Sequence, residues 1–130
     1  VDRYLSGVRL DDCSGMSAGN RIPARVLTDV LRVASGPDAS REMRDLLDTL
    51  PIASGSGTLV DRFDGPSGAG AGWVRAKTGT LSGTSALAGT VTSVDGRPMS
   101  FALLSTGTDP AIARPVLDQI AAELRTCGCR

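Results

Sequence analysis

Four consecutive residues, Lys77, Thr78, Gly79 and Thr80, combine an ammonium, two hydroxyls and an unobstructed backbone, which are groups that bind a carboxylate. Lys77 is the only lysine beside 13 arginines, so it is the only side-chain amine that this sequence can supply. Because side chains alternate between the faces of a strand, the two threonines share one face and the lysine lies on the other. At a sheet edge, this segment could pair with an extended peptide and hold its terminal carboxylate.

A tripeptide such as Lys-Thr-Gly is short, and its plain alternative is a chance match with a solvated lysine. A phosphate-binding P-loop is set aside, because Ala76 stands where such a loop has the glycine that directly precedes its lysine. The four residues therefore need support from the rest of the sequence.

The composition of the chain limits both its class of protein and the catalytic arrangements that it can form. The chain has 130 residues, 41% hydrophobic and 22% charged, with 14 basic and 14 acidic side chains, which favours one globular domain and predicts no nucleic-acid partner. Histidine is absent, so a Ser-His-Asp triad or a Cys-His dyad cannot be built from this chain. We expect no metal and no other cofactor. Every apolar run is shorter than the roughly 20 residues that span a bilayer, so no transmembrane segment is predicted.

Two amphipathic helices are predicted ahead of these residues. Between Pro23 and Gly36, apolar side chains recur every three or four positions, namely Val26, Leu27, Val30, Leu31 and Ala34. A second helix is predicted from Ser40, a good capping residue, up to Pro51. The Ser- and Gly-rich segment 53–72 is predicted to be a loop, and loops of this length are often functional.

Three strands and a last helix are predicted in the second half of the chain. The strands cover residues 73–80, 84–94 and 99–106, and the short turns between them indicate an antiparallel meander. The helix covers about residues 110–124, with Pro115 near its start and an apolar face formed by Ile112, Val116, Leu117, Ile120, Ala121 and Leu124. The predicted fold class is therefore α+β, an antiparallel sheet flanked by helices.

Three blocks of the sequence together resemble a known family. They are Asp12-Cys13-Ser14-Gly15-Met16-Ser17 with Asn20, then Leu50-Pro51-Ile52-Ala53 with Gly57-Thr58-Leu59 and Arg62, and then Ala76-Lys77-Thr78-Gly79-Thr80-Leu81-Ser82-Gly83. In register from about residue 5 to residue 120, the chain resembles the C-terminal part of the class C penicillin-binding proteins. These are the D-alanyl-D-alanine carboxypeptidases and endopeptidases that trim peptidoglycan. The resemblance implies that residues 1–130 are the C-terminal half of one penicillin-binding transpeptidase-like (β-lactamase-like) domain.

The family implies a serine acyl-enzyme mechanism. The serine of a Ser-x-x-Lys motif attacks a D-Ala-D-Ala stem peptide or a β-lactam, and a Ser-x-Asn motif completes the site. Lys77, Thr78 and Gly79 match the family's third motif. By this resemblance, Lys77 and the hydroxyls of Thr78 and Thr80 would bind the substrate's terminal carboxylate. The Thr80 amide would supply one donor of the oxyanion hole.

Two of the three family motifs are absent from the sequence. Val74 stands where a Ser-x-x-Lys motif ending at Lys77 needs its serine, and Ala18 stands where a Ser-x-Asn motif ending at Asn20 needs its serine. The nucleophile is therefore expected on the N-terminal part of the same enzyme, either as a separate chain or as a segment that is missing here. This chain alone is expected to be inactive.

The cysteines bear on the cellular compartment. Cys13, Cys127 and Cys129 are odd in number, and the single residue between the last two would strain a bridge. A disulfide from Cys13 to one of the other two is the favoured interpretation, with the partner left open. Cys13 stands where the family usually has glycine, and an added cysteine fits an oxidising, extracytoplasmic location, periplasmic or cell-wall associated. No signal peptide is predicted within this chain.

A function of another class stays open at this point. A non-catalytic module that lacks the nucleophile could bind a peptide or a protein partner through the same strand edge. An accompanying polypeptide with a Ser-x-x-Lys motif would favour the enzyme. An unrelated α+β protein with a chance match would bury Lys77 or place it far from any cleft.

Ser14 and Ser17 are interpreted as loop residues, because neither has a base at the spacing that nucleophilic catalysis needs.

Overall fold

The structure, a computed structural model, describes residues 5–127. Its elements are α1 (Ala24–Ala34), α2 (Arg41–Asp48), two 3₁₀ turns (Gly57–Leu59 and Gly65–Gly70), β1 (Val74–Leu81), β2 (Thr84–Thr92), β3 (Pro98–Thr106) and α3 (Pro110–Thr126). Helices therefore precede and follow an antiparallel sheet, which confirms the predicted α+β class. The segment 53–72 contains the two 3₁₀ turns.

The helices α1 and α2 begin where the sequence predicts. Pro23 directly precedes α1, and the Ser40 hydroxyl caps α2 by accepting a hydrogen bond from the Met43 amide at 3.4 Å. A serine cap contributes about 1 kcal/mol to helix stability. The helix α1 packs against β3 and buries Leu31 and Ala34.

The three strands form the predicted meander, in the order β1-β2-β3. In this register Thr78 lies opposite Leu87, and Thr80 lies opposite Ser85. Gly89 on β2 is required by close packing, because a Cβ there would lie 2.0 Å from the Arg75 carbonyl oxygen. The absence of a side chain at this position lets β1 lie directly against β2.

The core lies between one face of this sheet, the helix α3 and the segment 53–72. Phe63 and Leu59 from that segment are among the largest fully buried side chains. Full burial of such a side chain contributes about 1.5–3 kcal/mol. The buried cluster consists of Ala53, Leu59, Phe63, Val74, Ala76, Leu87, Val91, Phe101, Leu117, Ala121 and Ala122.

The helix α3 turns a different face to the core from the one predicted. Its N-cap is Asp109, whose carboxylate accepts a hydrogen bond from the Ala111 amide at 2.8 Å, and Pro115 lies inside the helix without ending it. Three of the six predicted face residues are exposed, namely Ile112, Val116 and Ile120. The buried residues are Ala113, Leu117, Asp118, Ala121 and Ala122. Small alanines let the helix approach the sheet, and Asp118 is turned inward by an ion pair with Arg62.

Within residues 5–127 Cys13 forms no disulfide, so the predicted bridge to Cys127, one of its two possible partners, is not present. Cys13 is an exposed free thiol in a loop whose shape is set by local hydrogen bonds to Asp12. Cys127 occupies the C-cap of α3, and its amide donates to the Glu123 carbonyl at 2.8 Å. Cys129 lies outside the described residues.

Candidate functional site

The outer edge of β1 is covered along its first half. The Ala76 amide donates to the Pro51 carbonyl, and the Ala53 amide donates to the Val74 carbonyl, each at 2.9 Å. Beyond Ala76, no strand of the described chain pairs with this edge. Because amides on alternate residues of a strand point in the same direction, the amides of Thr78 and Thr80 face this open edge. The predicted oxyanion-hole donor therefore points away from the sheet.

Lys77 reaches the same open edge. Its side chain is exposed, and its Nζ donates to the carbonyl oxygen of Thr78 at 2.8 Å. That carbonyl points outward together with the Thr78 amide. The ammonium thus lies beside Thr78, although the Lys77 side chain leaves the strand on the other face. A lysine matched by chance could have been buried, and this one is not.

The hydroxyls of the two threonines are tied to different parts of the fold. The Thr78 hydroxyl donates to the Thr58 hydroxyl at 3.1 Å, and Thr58 belongs to the first 3₁₀ turn. The Thr80 hydroxyl accepts from Nη2 of Arg114 at 3.1 Å, and Arg114 belongs to α3. Thr58 was within a sequence block that resembles the family, but its contact was not predicted. Arg114 was missed entirely, because nothing in local sequence links two residues so far apart.

Gly79 lies between the threonines and opposite Ala86 on β2. A Cβ at this position would lie 3.3 Å from the Ala86 Cβ, which is tighter than an ordinary contact. Gly79 therefore keeps the sheet face beside Lys77 clear. The structure thus brings together all four residues that the sequence predicted for the site.

A nearly buried ion pair connects the two elements that support the threonines. Arg62 Nη2 and Nε donate to the two carboxylate oxygens of Asp118 at 2.6 and 3.0 Å. The side chains are only 16% and 7% exposed. Burial raises the pKa of the Asp118 carboxyl, and the hydrogen bond and charge of Arg62 oppose that rise. The pair joins the segment that contains Thr58 to the helix that contains Arg114.

An open cleft lies between the segment 61–67 and the start of α3. Its volume is about 330 Å³, and Arg114 lines it. The other polar lining residues are Asp61, Arg62, Asp64, Ser67, Asp118 and Gln119. A second groove of about 370 Å³ lies along α1 and is mostly apolar, so it offers little of the chemistry predicted for the site.

The loop around Asp12 is held by its own hydrogen bonds. The Asp12 carboxylate accepts from the Ser14 hydroxyl at 2.6 Å, from the Asn20 side-chain amide at 2.7 Å and from the Ser17 amide at 3.2 Å. These bonds hold the pKa of Asp12 below its ordinary value, with the Ser14 hydroxyl contributing most. Ser14 and Ser17 therefore have structural roles, as the sequence predicted.

Two further observations concern ligands and membranes. Within residues 5–127, no three acidic, cysteine or histidine side chains are grouped so that they could hold a metal ion. No helix in that range is both long enough and apolar enough to cross a bilayer.

Comparison with known proteins assigns this chain to a family. The profile of the D-Ala-D-Ala carboxypeptidase 3 (S13) family matches residues 4–127. The chain therefore belongs to this family, which confirms the resemblance found in its sequence. The α+β architecture and the exposed Lys-Thr-Gly edge are both consistent with that membership.

Named relatives support the same assignment. The chain is 50% identical over 126 residues to carboxypeptidase DacB of Mycolicibacterium smegmatis and covers 27% of that protein. It is 36% identical over 125 residues to a D-alanyl-D-alanine carboxypeptidase of Actinomadura sp. and covers 22% of it. In both alignments over 90% of this chain is matched. The chain thus spans about a quarter of the length of these relatives.

A solved structure has the same fold. Penicillin binding protein 4 of Haemophilus influenzae superposes with a TM-score of 0.78 at 25% identity, covering 93% of this chain and 28% of that protein. The same protein has also been solved in complex with a β-lactam, and that structure superposes with a TM-score of 0.70.

Proposed function

We propose that this chain supplies the Lys-Thr-Gly strand of a serine-type D-Ala-D-Ala carboxypeptidase that acts on peptidoglycan peptides and is acylated by β-lactams. The observation that carries the proposal is the open edge of β1, where the Lys77 ammonium lies on the Thr78 carbonyl and the neighbouring residues Thr78 and Thr80 supply two hydroxyls and two outward amides. Family membership supports the reaction class.

The edge suits the terminal carboxylate of a peptide. The Lys77 ammonium provides charge-assisted hydrogen bonds, and the Thr78 and Thr80 hydroxyls provide neutral ones. Thr78 can donate to a ligand while it accepts from Thr58, because two paired hydroxyls can exchange donor and acceptor roles. A peptide that pairs with β1 would also place its scissile carbonyl near the outward Thr80 amide, which would stabilise the negative charge of the tetrahedral intermediate.

The nucleophile must come from outside this chain. We place the Ser-x-x-Lys and Ser-x-Asn motifs in the N-terminal part of the same domain, which fits a chain that covers about a quarter of its relatives. The substrate is a cell-wall peptide, so we also propose an extracytoplasmic location. No metal or cofactor takes part in this mechanism.

The direct experiment labels the intact polypeptide that carries this chain with a fluorescent penicillin and resolves it on a reducing denaturing gel. The labelled serine is then located by peptide mapping. We expect label on a Ser-x-x-Lys serine outside these 130 residues, and much weaker label in the Thr78→Val variant. Folded protein that takes up no label would contradict the enzyme and favour a non-catalytic binding module.

A further inference from the structure

Arg114 occupies a position at the candidate site that the family resemblance does not account for. It extends from α3 to β1, where its Nη2 donates to the Thr80 hydroxyl at 3.1 Å. The side chain is exposed, and within residues 5–127 no carboxylate lies within ion-pair distance of it. The guanidinium therefore makes no direct ion pair in the part of the chain that the structure describes, although Asp61 and Asp64 line the same cleft.

The sheet face beneath Arg114 offers a second unusual group. Ser85 lies opposite Thr80 in the sheet, so their side chains share one face. Ser85 is 1% exposed, and its hydroxyl has no hydrogen-bond partner among the described residues. Buried hydroxyls are normally paired, so an unpaired one calls for a physical explanation, of which a bound water is the simplest. The Arg114 guanidinium and the Thr80 hydroxyl thus meet at the end of β1, on the sheet face that also holds Ser85.

We infer that Arg114 is a second cation of the carboxylate site and selects substrates with a free carboxylate beside the scissile bond. This inference rests on the proposed function. Lys77 leaves the strand on the face opposite Thr80, whereas Arg114 approaches from the Thr80 face. A carboxylate at Thr80 is therefore held by a positive charge from either side of the strand.

The hydrogen-bonding capacity of the two side chains fits this role. Arg114 has five N–H donors, and its contact with Thr80 uses one of them. The others remain available for a charge-assisted hydrogen bond to a carboxylate. Because the Thr80 hydroxyl accepts from Arg114, its own hydrogen is free to be donated to the same carboxylate. A purely structural arginine would only fasten α3 to β1.

The test uses the intact polypeptide and two substrates that differ only at one group, a charged carboxylate or its neutral methyl ester. One is a D-alanyl thioester whose leaving group ends in a carboxylate, and the other is its methyl ester. In Arg114→Gln we expect kcat/KM for the acid to fall about 10- to 100-fold, as for the loss of one charged hydrogen bond, with little change for the ester. Arg114→Lys should retain part of the preference. The control is Arg41→Gln, which removes an exposed arginine from α2.

The outcomes are separable. An equal loss for both substrates, or an unchanged ratio of acid to ester in Arg114→Gln, would overturn the inference and leave Arg114 as a structural contact. The proposed function would stand in either case, because the unmodified enzyme would still hydrolyse the thioesters and bind penicillin. Folded, unmodified protein that hydrolyses neither thioester would overturn the proposed function and this inference together.

Discussion

The ion pair between Arg62 and Asp118 offers a quantitative test of how the site is supported. Both charges are largely removed from water, with 16% and 7% of their side chains exposed. Removing one partner of a buried pair leaves the other uncompensated, which typically costs about 3–5 kcal/mol. Arg62 retains some access to water through the cleft, so we expect about 3 kcal/mol for Asp118→Leu, near the lower end of that range.

The two single variants should differ in their pH dependence. In Arg62→Met, the buried carboxylate loses the partner that opposes the rise of its pKa, so the pKa of Asp118 should rise further. An acid whose folded-state pKa is raised destabilises the fold most when it is ionised, and protonation relieves that loss. The loss of stability in Arg62→Met should therefore become smaller as the pH is lowered, whereas the loss in Asp118→Leu should not.

The assay is guanidinium unfolding of the intact polypeptide, with both single variants and the Arg62→Met/Asp118→Leu double variant. We expect the double variant to lose less stability than the sum of the two single losses, because an apolar pair of similar size leaves no buried charge. Penicillin labelling should weaken in the single variants, since the pair joins the elements that hold Thr58 and Arg114. Strictly additive losses, each below about 1 kcal/mol, would refute the reasoning, because exposed pairs behave in that way.

Three further predictions concern single positions. Gly89→Ala should lower the free energy of unfolding by about 1–3 kcal/mol or more and disturb β1, because the added Cβ would clash with backbone atoms of β1 that cannot move aside. Native protein should be alkylated at Cys13, since this thiol is exposed and free. Asp12→Asn should make stability less sensitive to acid. The pKa of Asp12 is lower in the folded state than its unfolded value of 3.8, so the ionised carboxylate stabilises the fold at any pH above 3.8. This contribution is lost as the pH falls through the folded-state pKa of Asp12.

Each of these predictions has its own control and contrary outcome. Gly68→Ala, where no atom lies within 4 Å of the added Cβ, should leave stability nearly unchanged, and an equal effect at both glycines would contradict the packing argument. Peptide mapping that recovers Cys13 only in a disulfide would contradict its assignment as a free thiol. The exposed Asp38→Asn is the matched control for Asp12, and identical acid profiles in these two variants would remove the special role of Asp12.

Local patterns predicted most of the elements of this fold. The apolar spacing of α1, the serine cap of α2 and the turns between strands depend on neighbouring residues, and each is found within a few residues of its expected position. The four residues of the Lys-Thr-Gly segment are consecutive, so a strand brings them together without help from the rest of the chain. Prediction succeeded where the cause was local.

Prediction failed where the cause was a contact distant in sequence. The apolar residues of α3 suggested a buried stripe that includes Val116 and Ile120, whereas the ion pair of Asp118 with Arg62 and the small alanines orient the helix differently. The hydrogen bond from Arg114 to Thr80 is equally invisible to periodicity. The expected disulfide from Cys13 rested on counting cysteines, which carries no information on the distance between them.

The most direct test of the central claim is the rate of acylation of the intact polypeptide by benzylpenicillin in Lys77→Ala and Arg75→Ala. Both substitutions remove an exposed cation from the same face of β1, two residues apart, but only Lys77 reaches the open edge beside Thr78. We predict that Lys77→Ala lowers the second-order acylation rate constant at least about 10-fold, as expected for the loss of a charged hydrogen bond, while Arg75→Ala leaves it within about 2-fold. Equal rate constants in the two folded variants would contradict the assignment of the Lys-Thr-Gly edge as the carboxylate-binding site.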